Sequence, residues 1–103
     1  MWEIYNIEFI KGDSSKTVKN YKVEEKYDTI HIDGAHGIYY AENDLLNCVK
    51  FAHKNTILAF DDTNNHLLNQ LLNKYIDKKL IVEIKYDNIY QICNYHRLFN
   101  YVI

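Results

Sequence analysis

The sequence contains no proline and only three glycines, at positions 12, 34 and 37. No Gly-x-Gly-x-Gly loop of the kind that holds a nucleotide cofactor can be drawn through so few glycines. Linkers, internal repeats and low-complexity tracts are also missing. Hydrophobic residues make up 48% and aromatic residues 15% of the chain, which excludes a disordered polypeptide. We therefore predict a single folded domain over residues 1–103.

Cysteine is scarce, charge is nearly balanced, and long apolar runs are missing. Cys48 and Cys93 lie far apart, with no Cys-x-x-Cys or Cys/His zinc spacing, so we interpret both as reduced core thiols of a cytoplasmic protein. The net charge of -2 gives no electrostatic attraction to nucleic acid or to a membrane surface. No apolar run approaches the roughly 18 residues of a membrane span, and the first residues do not resemble a signal peptide.

Hydrophobic periodicity indicates strands and helices that alternate along the chain. Strands are predicted over residues 3–10, 27–33, 56–60 and 80–86, with one or two more within 89–102. Helices are predicted over residues 15–21, 38–53 and 65–78, with a serine at 14 or 15 and Thr63 or Asn64 as N-caps. Asn55 suits a left-handed exit from the second helix. This order predicts an α/β fold with a mostly parallel sheet and an antiparallel C-terminal hairpin.

Three aspartates follow two of the predicted strands. Asp33 ends the strand that begins at residue 27, and Asp61 and Asp62 end the apolar strand TILAF. Because open α/β sheets bind ligands at the carboxyl ends of their strands, these carboxylates are expected on one rim. Close carboxylates repel one another unless a cation neutralises them, and Mg²⁺ prefers oxygen ligands. The alternative is structural, since aspartate also forms turns and caps helices.

Histidines near this rim are candidates for a general base or for metal ligands. His36 could act as a general base, because the imidazole pKa lies near neutrality, or it could be a turn residue at a helix start. His31, Asp33 and His36 also spell His-x-Asp-x-x-His, a short spacing that would suit zinc in a small metal-dependent hydrolase. His66 and His96 have no recognisable spacing, and we interpret them as exposed or half-buried side chains.

The order of these motifs resembles a known family. It runs from a strand and Gly-Asp-Ser through YDTIHIDGAH, a helix that carries Asp44, and TILAFDD. This order is similar to the second half of a class I S-adenosylmethionine-dependent methyltransferase. The nearest branch methylates oxygen atoms of small molecules and has an Ile-Asp-Gly-x-His motif followed by paired aspartates. The resemblance is strongest over residues 7–63 and implies a truncated Rossmann-like methyltransferase sheet.

The resemblance also implies roles for particular residues. Asp13, with the adjacent Ser14, matches the position beside the adenine of S-adenosylmethionine. Asp33 matches a metal-ligand or substrate position, and His36 a residue that acts in substrate binding or as the base. The pair after the fifth strand of the family, here Asp61 and Asp62, matches the acidic metal ligands of metal-dependent members. A bound cation would polarise a substrate hydroxyl group before methyl transfer.

The sequence departs from the family in its first half. Nothing in it matches the glycine-rich loop or the acidic residue that grips the ribose of the cofactor. We therefore expect a partial methyltransferase domain that is inactive alone, or a non-catalytic binding remnant. The family pairs its fourth strand with a first strand that has no counterpart here. An open sheet edge of this kind favours a homodimer or a partner chain.

Overall fold

The computed structural model describes residues 8–22, 24–33, 37–85 and 96–103. Its elements are helix α1 (Ser14–Asn20), strand β1 (Tyr27–Ile32), helix α2 (Ile38–Asn47), a short 3₁₀ helix (Cys48–Phe51), strand β2 (Ala52–Phe60), helix α3 (His66–Asp77), and strands β3 (Ile81–Glu83) and β4 (Arg97–Tyr101). In these ranges, no helix is long and apolar enough to cross a bilayer.

The four strands form one mixed sheet in the order β1-β2-β4-β3. β1 and β2 pair in parallel, and β4 is antiparallel to both of its neighbours, β2 and β3. Three strands therefore run in one direction, and β4 runs against them. The α/β class and the antiparallel C-terminal pair are confirmed. The pair joins the sheet through β4, which lies next to β2, and β3 is the edge strand.

The core lies between the sheet and helices α2 and α3. Phe60 of β2 and Phe99 of β4 meet edge to face, with ring centroids 6.3 Å apart. The Tyr101 hydroxyl group donates a 2.6 Å hydrogen bond to the Leu45 carbonyl oxygen, which ties the central strand β4 to α2. Cys48 is a buried free thiol, as predicted, while Cys93 lies outside the described residues. Burial of apolar surface makes the main favourable contribution to the free energy of folding, and it offsets the loss of conformational entropy of the chain.

Helix α3 begins at His66, one residue later than predicted. Its N-cap is Asn65, whose Oδ1 accepts hydrogen bonds from the backbone N–H groups of Leu67 and Leu68. The helix buries an apolar stripe and ends before Lys79, which takes a left-handed φ of 61°. Asn65, rather than Thr63 or Asn64, caps the helix because its side chain reaches the second and third N–H groups.

The boundary between α2 and β2 differs from the prediction. α2 ends at Asn47, and β2 begins at Ala52, so residues 52 and 53, which were predicted as helix, belong to the strand together with residues 54 and 55. Asn55 is therefore not a left-handed helix exit. The physical reason is an irregular register with β1, in which the buried Thr56 hydroxyl donates to the Tyr27 carbonyl oxygen at 2.6 Å. A local apolar pattern does not encode such a contact between distant strands.

The first predicted strand is only partly visible. Residues 3–7 lie outside the described residues, and residues 8–10 are exposed and belong to no strand. Phe9, an apolar residue of the predicted strand, has 85% of its surface exposed. The strands predicted at 80–86 and within 89–102 are shorter, at Ile81–Glu83 and Arg97–Tyr101, and residues 86–95 lie outside the described part.

Candidate functional site

The structure brings Asp33, Asp61 and Asp62 together at the carboxyl ends of β1 and β2. One carboxylate oxygen from each lies within 4.8 Å of the other two. The Asp61 N–H group donates to the Ile32 carbonyl oxygen at 3.2 Å and thereby continues the parallel pairing into the turn. We call these three aspartates the carboxylate set. Their predicted juxtaposition follows from the parallel register, which aligns the two strand ends.

The backbone at Asp62 has an unusual conformation. Its φ of 61° lies in the left-handed region, which aspartate and asparagine tolerate better than most residues. The Asp62 N–H group hydrogen-bonds the Asp61 side chain, and this bond is the largest cause that lowers the pKa of Asp61. The nearby His96 and a hydrogen bond with Asp33 lower it further. Asp61 is therefore an anion at neutral pH and is available as a cation ligand.

Asp44 of α2 adds a fourth carboxylate near the same rim. It is only 7% exposed, and its Oδ1 atom is buried with no hydrogen-bond partner among the residues that the structure describes. A cavity of about 40 Å³ is lined by Asp44 and by all three members of the carboxylate set. Desolvation raises the pKa of Asp44, while a hydrogen bond from Ser14 opposes that rise. A buried acceptor without a partner is uncommon and indicates a place for a water molecule or a cation.

Asp13 and Ser14 lie at the start of α1. Asp13 is the N-cap, and its Oδ1 accepts hydrogen bonds from the Ser15 N–H group at 2.9 Å and from the Ser15 hydroxyl group at 2.7 Å. These bonds lower the pKa of Asp13. The Asp13 side chain thus has a structural role, and its predicted contact with adenine stays a prediction. Through its bond to Asp44, Ser14 connects this turn to the carboxylate-lined cavity.

A wide cleft opens beside this turn. It has a volume of about 940 Å³ and is lined by Ser14, Gly12 and aromatic side chains that include Tyr27 and Phe51. Gly12 has a φ of 142°, and a Cβ atom there would come within 2.8 Å of the Thr17 methyl group. Glycine is therefore required at this turn. The size of the cleft suits a small organic molecule.

The structure describes some of the candidate histidines near this rim. His36 lies outside the described residues, so its roles as base and as zinc ligand stay predictions. The structure groups His31 with Asp61 and with His96, which immediately precedes β4. The His96 Nε2 atom lies 3.0 Å from Asp61 Oδ1. Sequence spacing could not reveal His96, since its position depends on the pairing of β4 with β2.

One comparison with known proteins identifies the family of this chain. The profile of a family described as a methyltransferase domain matches residues 4–63, which is more than half of the chain. The matched region contains the α1 turn, Asp44 and the whole carboxylate set, but it ends before His96. Comparison with curated proteins found no match. The family match and the α/β fold agree, and the chain belongs to this methyltransferase-domain family.

Proposed function

We propose that this chain takes part in S-adenosylmethionine-dependent methyl transfer to an oxygen atom of a small molecule, assisted by a divalent cation such as Mg²⁺. The observation that carries this proposal is the carboxylate set at the carboxyl ends of β1 and β2. Membership of the methyltransferase-domain family supports the transfer of a methyl group. The carboxylate set supports the proposal of a bound cation, and a bound cation would favour an oxygen atom as the methyl acceptor.

The chemistry of the carboxylate set fits a hard cation. Mg²⁺ binds oxygen at about 2.0–2.1 Å in octahedral geometry, so oxygens on one ion lie roughly 3–4 Å apart. The oxygens of Asp33, Asp61 and Asp62 lie within 4.8 Å of one another, and small side-chain rotations would bring them into this range. Asp61 and Asp62 are half-buried while Asp33 is exposed, which leaves one side of the set open for a substrate.

Each residue of the site has a proposed role in the reaction. Asp33, Asp61 and Asp62 hold the cation, which when bound would lower the pKa of a coordinated substrate hydroxyl group. His36 accepts the proton of that hydroxyl group, and Asp13 with Ser14 contacts the adenosine part of the cofactor, as the resemblance implies. The 103 residues contain no glycine-rich loop. Contacts to the methionine part of the cofactor must therefore come from another polypeptide segment.

The edge of β1 is where we propose that such a segment binds. Among the described residues, β1 pairs only with β2, and Tyr27 to Thr29 are exposed. An exposed strand edge offers unpaired N–H and C=O groups to another strand. We therefore propose a homodimer or a partner chain at this edge. Sedimentation velocity over a range of concentrations tests self-association, and a concentration-independent monomer would leave only a different partner chain.

Calorimetric titration with Mg²⁺ tests the carboxylate set. The informative variant is Asp62→Asn, because asparagine also tolerates the left-handed φ of 61° and removes only the charge. Asp77→Asn is the matched control, since Asp77 is exposed at the end of α3, away from the rim. We expect Asp62→Asn to weaken Mg²⁺ binding and Asp77→Asn to leave it unchanged. Equal binding by both variants would contradict the proposed cation site.

A further inference from the structure

The ends of three neighbouring strands meet at a second group of side chains, of which the proposed methyl transfer uses only Asp61. His31 lies in β1, Asp61 follows β2 and His96 precedes β4. In the sheet, Arg97 pairs with Phe60, so His96 lies level with Asp61, and His31 pairs with Ala59, two residues before Asp61. One possible ligand atom from each lies within 4.8 Å of the other two.

We propose that His31, Asp61 and His96 bind a divalent d-block metal ion, with Zn²⁺ and Co²⁺ as suitable probes. We call these residues the imidazole set. Two imidazole nitrogens and one carboxylate oxygen are ligands that suit Zn²⁺, Co²⁺ and Ni²⁺, whereas Mg²⁺ prefers sites built of oxygen alone. The imidazole set therefore differs from the carboxylate set in the ions that it selects, although the two sets share Asp61.

The distances fit metal coordination with little rearrangement. Zn–N and Zn–O bonds of about 2.0–2.2 Å place two ligands of a tetrahedral ion roughly 3.3–3.5 Å apart. His96 Nε2 and Asp61 Oδ1 are already 3.0 Å apart, and the rings of His31 and His96 have centroids 5.9 Å apart.

The imidazole set is also accessible. The side chains of His96 and Asp61 are 35% and 23% exposed, and His31 is exposed. An ion can therefore enter from solvent, and with three protein ligands it keeps an open coordination position, as catalytic rather than purely structural zinc sites do. Because Asp61 also belongs to the carboxylate set, a zinc ion there would withdraw one of the three ligands of Mg²⁺. We expect Zn²⁺ to lower the affinity for Mg²⁺.

Titration of the tag-free protein with Zn²⁺ by calorimetry tests this proposal. We expect one zinc ion per chain. His96→Gln should weaken binding by more than about tenfold, since even the loss of an outer-shell partner costs about 10–100-fold in metal affinity. His66→Gln is the matched control, because His66 is exposed on α3, where its Nε2 atom lies 3.0 Å from the Gln70 Nε2 atom. Unchanged zinc affinity in His96→Gln would overturn the proposal.

Asp62→Asn separates the two sets. It removes a ligand of the carboxylate set alone, so we expect weaker Mg²⁺ binding with zinc affinity unchanged. If Asp62→Asn weakened zinc binding as much as His96→Gln does, zinc would occupy the carboxylate set, and the proposal would be wrong. A different result would separate the two proposals. If the protein did not bind Mg²⁺ but bound zinc, with weaker binding only in His96→Gln, the cation-assisted function would be refuted and the imidazole set would stand.

Cobalt provides a second readout of the ligands. Visible absorption of bound Co²⁺ reports the type and number of its ligands, so wild type and His66→Gln should give the same spectrum. His31→Gln should change that spectrum in the same manner as His96→Gln. Both substitutions are at exposed or half-exposed positions, and thermal unfolding of each metal-free variant checks that the fold persists. A Co²⁺ spectrum that neither substitution alters would overturn the proposal.

Discussion

Arg97, the single arginine of the sequence, joins three elements of the fold. Its Nε and Nη2 atoms donate to the two Glu83 carboxylate oxygens at 2.9 and 2.8 Å, which connects β4 to β3. Two further hydrogen bonds reach Asn69 and Asn73 of α3, and the guanidinium group lies 5.2 Å from the centroid of the Phe99 ring. Lysine cannot reproduce this planar fork, so we predict that Arg97→Lys destabilises the protein.

The structure sets the magnitude of this effect. A hydrogen bond to a charged group contributes about 1.5–3 kcal/mol when buried, but an exposed ion pair contributes only about 0.2–1 kcal/mol. The Arg97 and Glu83 side chains are 19% and 34% exposed, which places the pair between these limits. We expect Arg97→Lys to lower the free energy of unfolding by about 1–2 kcal/mol. The melting temperature should fall by roughly 5–15 °C in a domain of this size.

A double-mutant cycle in urea denaturation isolates the pair. With Arg97→Lys, Glu83→Gln and the double variant, we expect a coupling energy of about 0.5–1.5 kcal/mol. The arginine lowers the pKa of Glu83, so the contribution of the pair is present above the unfolded-state pKa of a glutamate and is lost as the pH falls through the folded-state pKa. Zero coupling at neutral pH, or a coupling that persists in strong acid, would refute this reasoning.

Three further predictions concern the core, a helix cap and the buried carboxylate. Tyr101→Phe removes the buried hydrogen bond to Leu45 and should cost about 1–3 kcal/mol of unfolding free energy in urea denaturation; a cost near zero would contradict it. Asn65→Ala removes the cap of α3 and should cost about 0.5–2 kcal/mol, whereas Asn65→Asp should preserve most of the stability in the same assay. Because burial raises the pKa of Asp44, its ionisation destabilises the folded state as the pH rises above the usual aspartate range. Asp44→Asn should therefore be more stable than wild type at neutral pH in thermal unfolding, with a gap that shrinks in acid; a gap that grows in acid would oppose this account.

The sequence was sufficient to predict the carboxylate set. Asp33 and the pair Asp61 and Asp62 end two apolar strands, and parallel pairing of those strands needs nothing beyond the alternation of strands and helices. The α/β class follows from the same alternation. The special backbone at Asp62 was not predictable, because a left-handed φ in aspartate has no pattern of its own.

Long-range pairing limited the rest of the prediction. His96 reaches Asp61 only because β4 inserts between β2 and β3, a register in which Phe99 pairs with Leu58. No local periodicity contains that information. The predicted end of α2 was wrong for a similar reason. Hydrogen bonds of the Thr56 side chain stabilise an irregular strand where the charge pattern indicated the end of a helix.

Thermal unfolding with and without Mg²⁺, each with and without S-adenosylhomocysteine, tests the central claim most directly. The claim is that a methyltransferase-family chain holds a divalent cation on Asp33, Asp61 and Asp62. A ligand at 100 times its Kd stabilises the folded state by about 2.7 kcal/mol, which corresponds to roughly 10 °C or more here. We predict that Mg²⁺ raises the melting temperature and that the nucleoside raises it further. A cooperative transition that neither ligand moves would contradict the account.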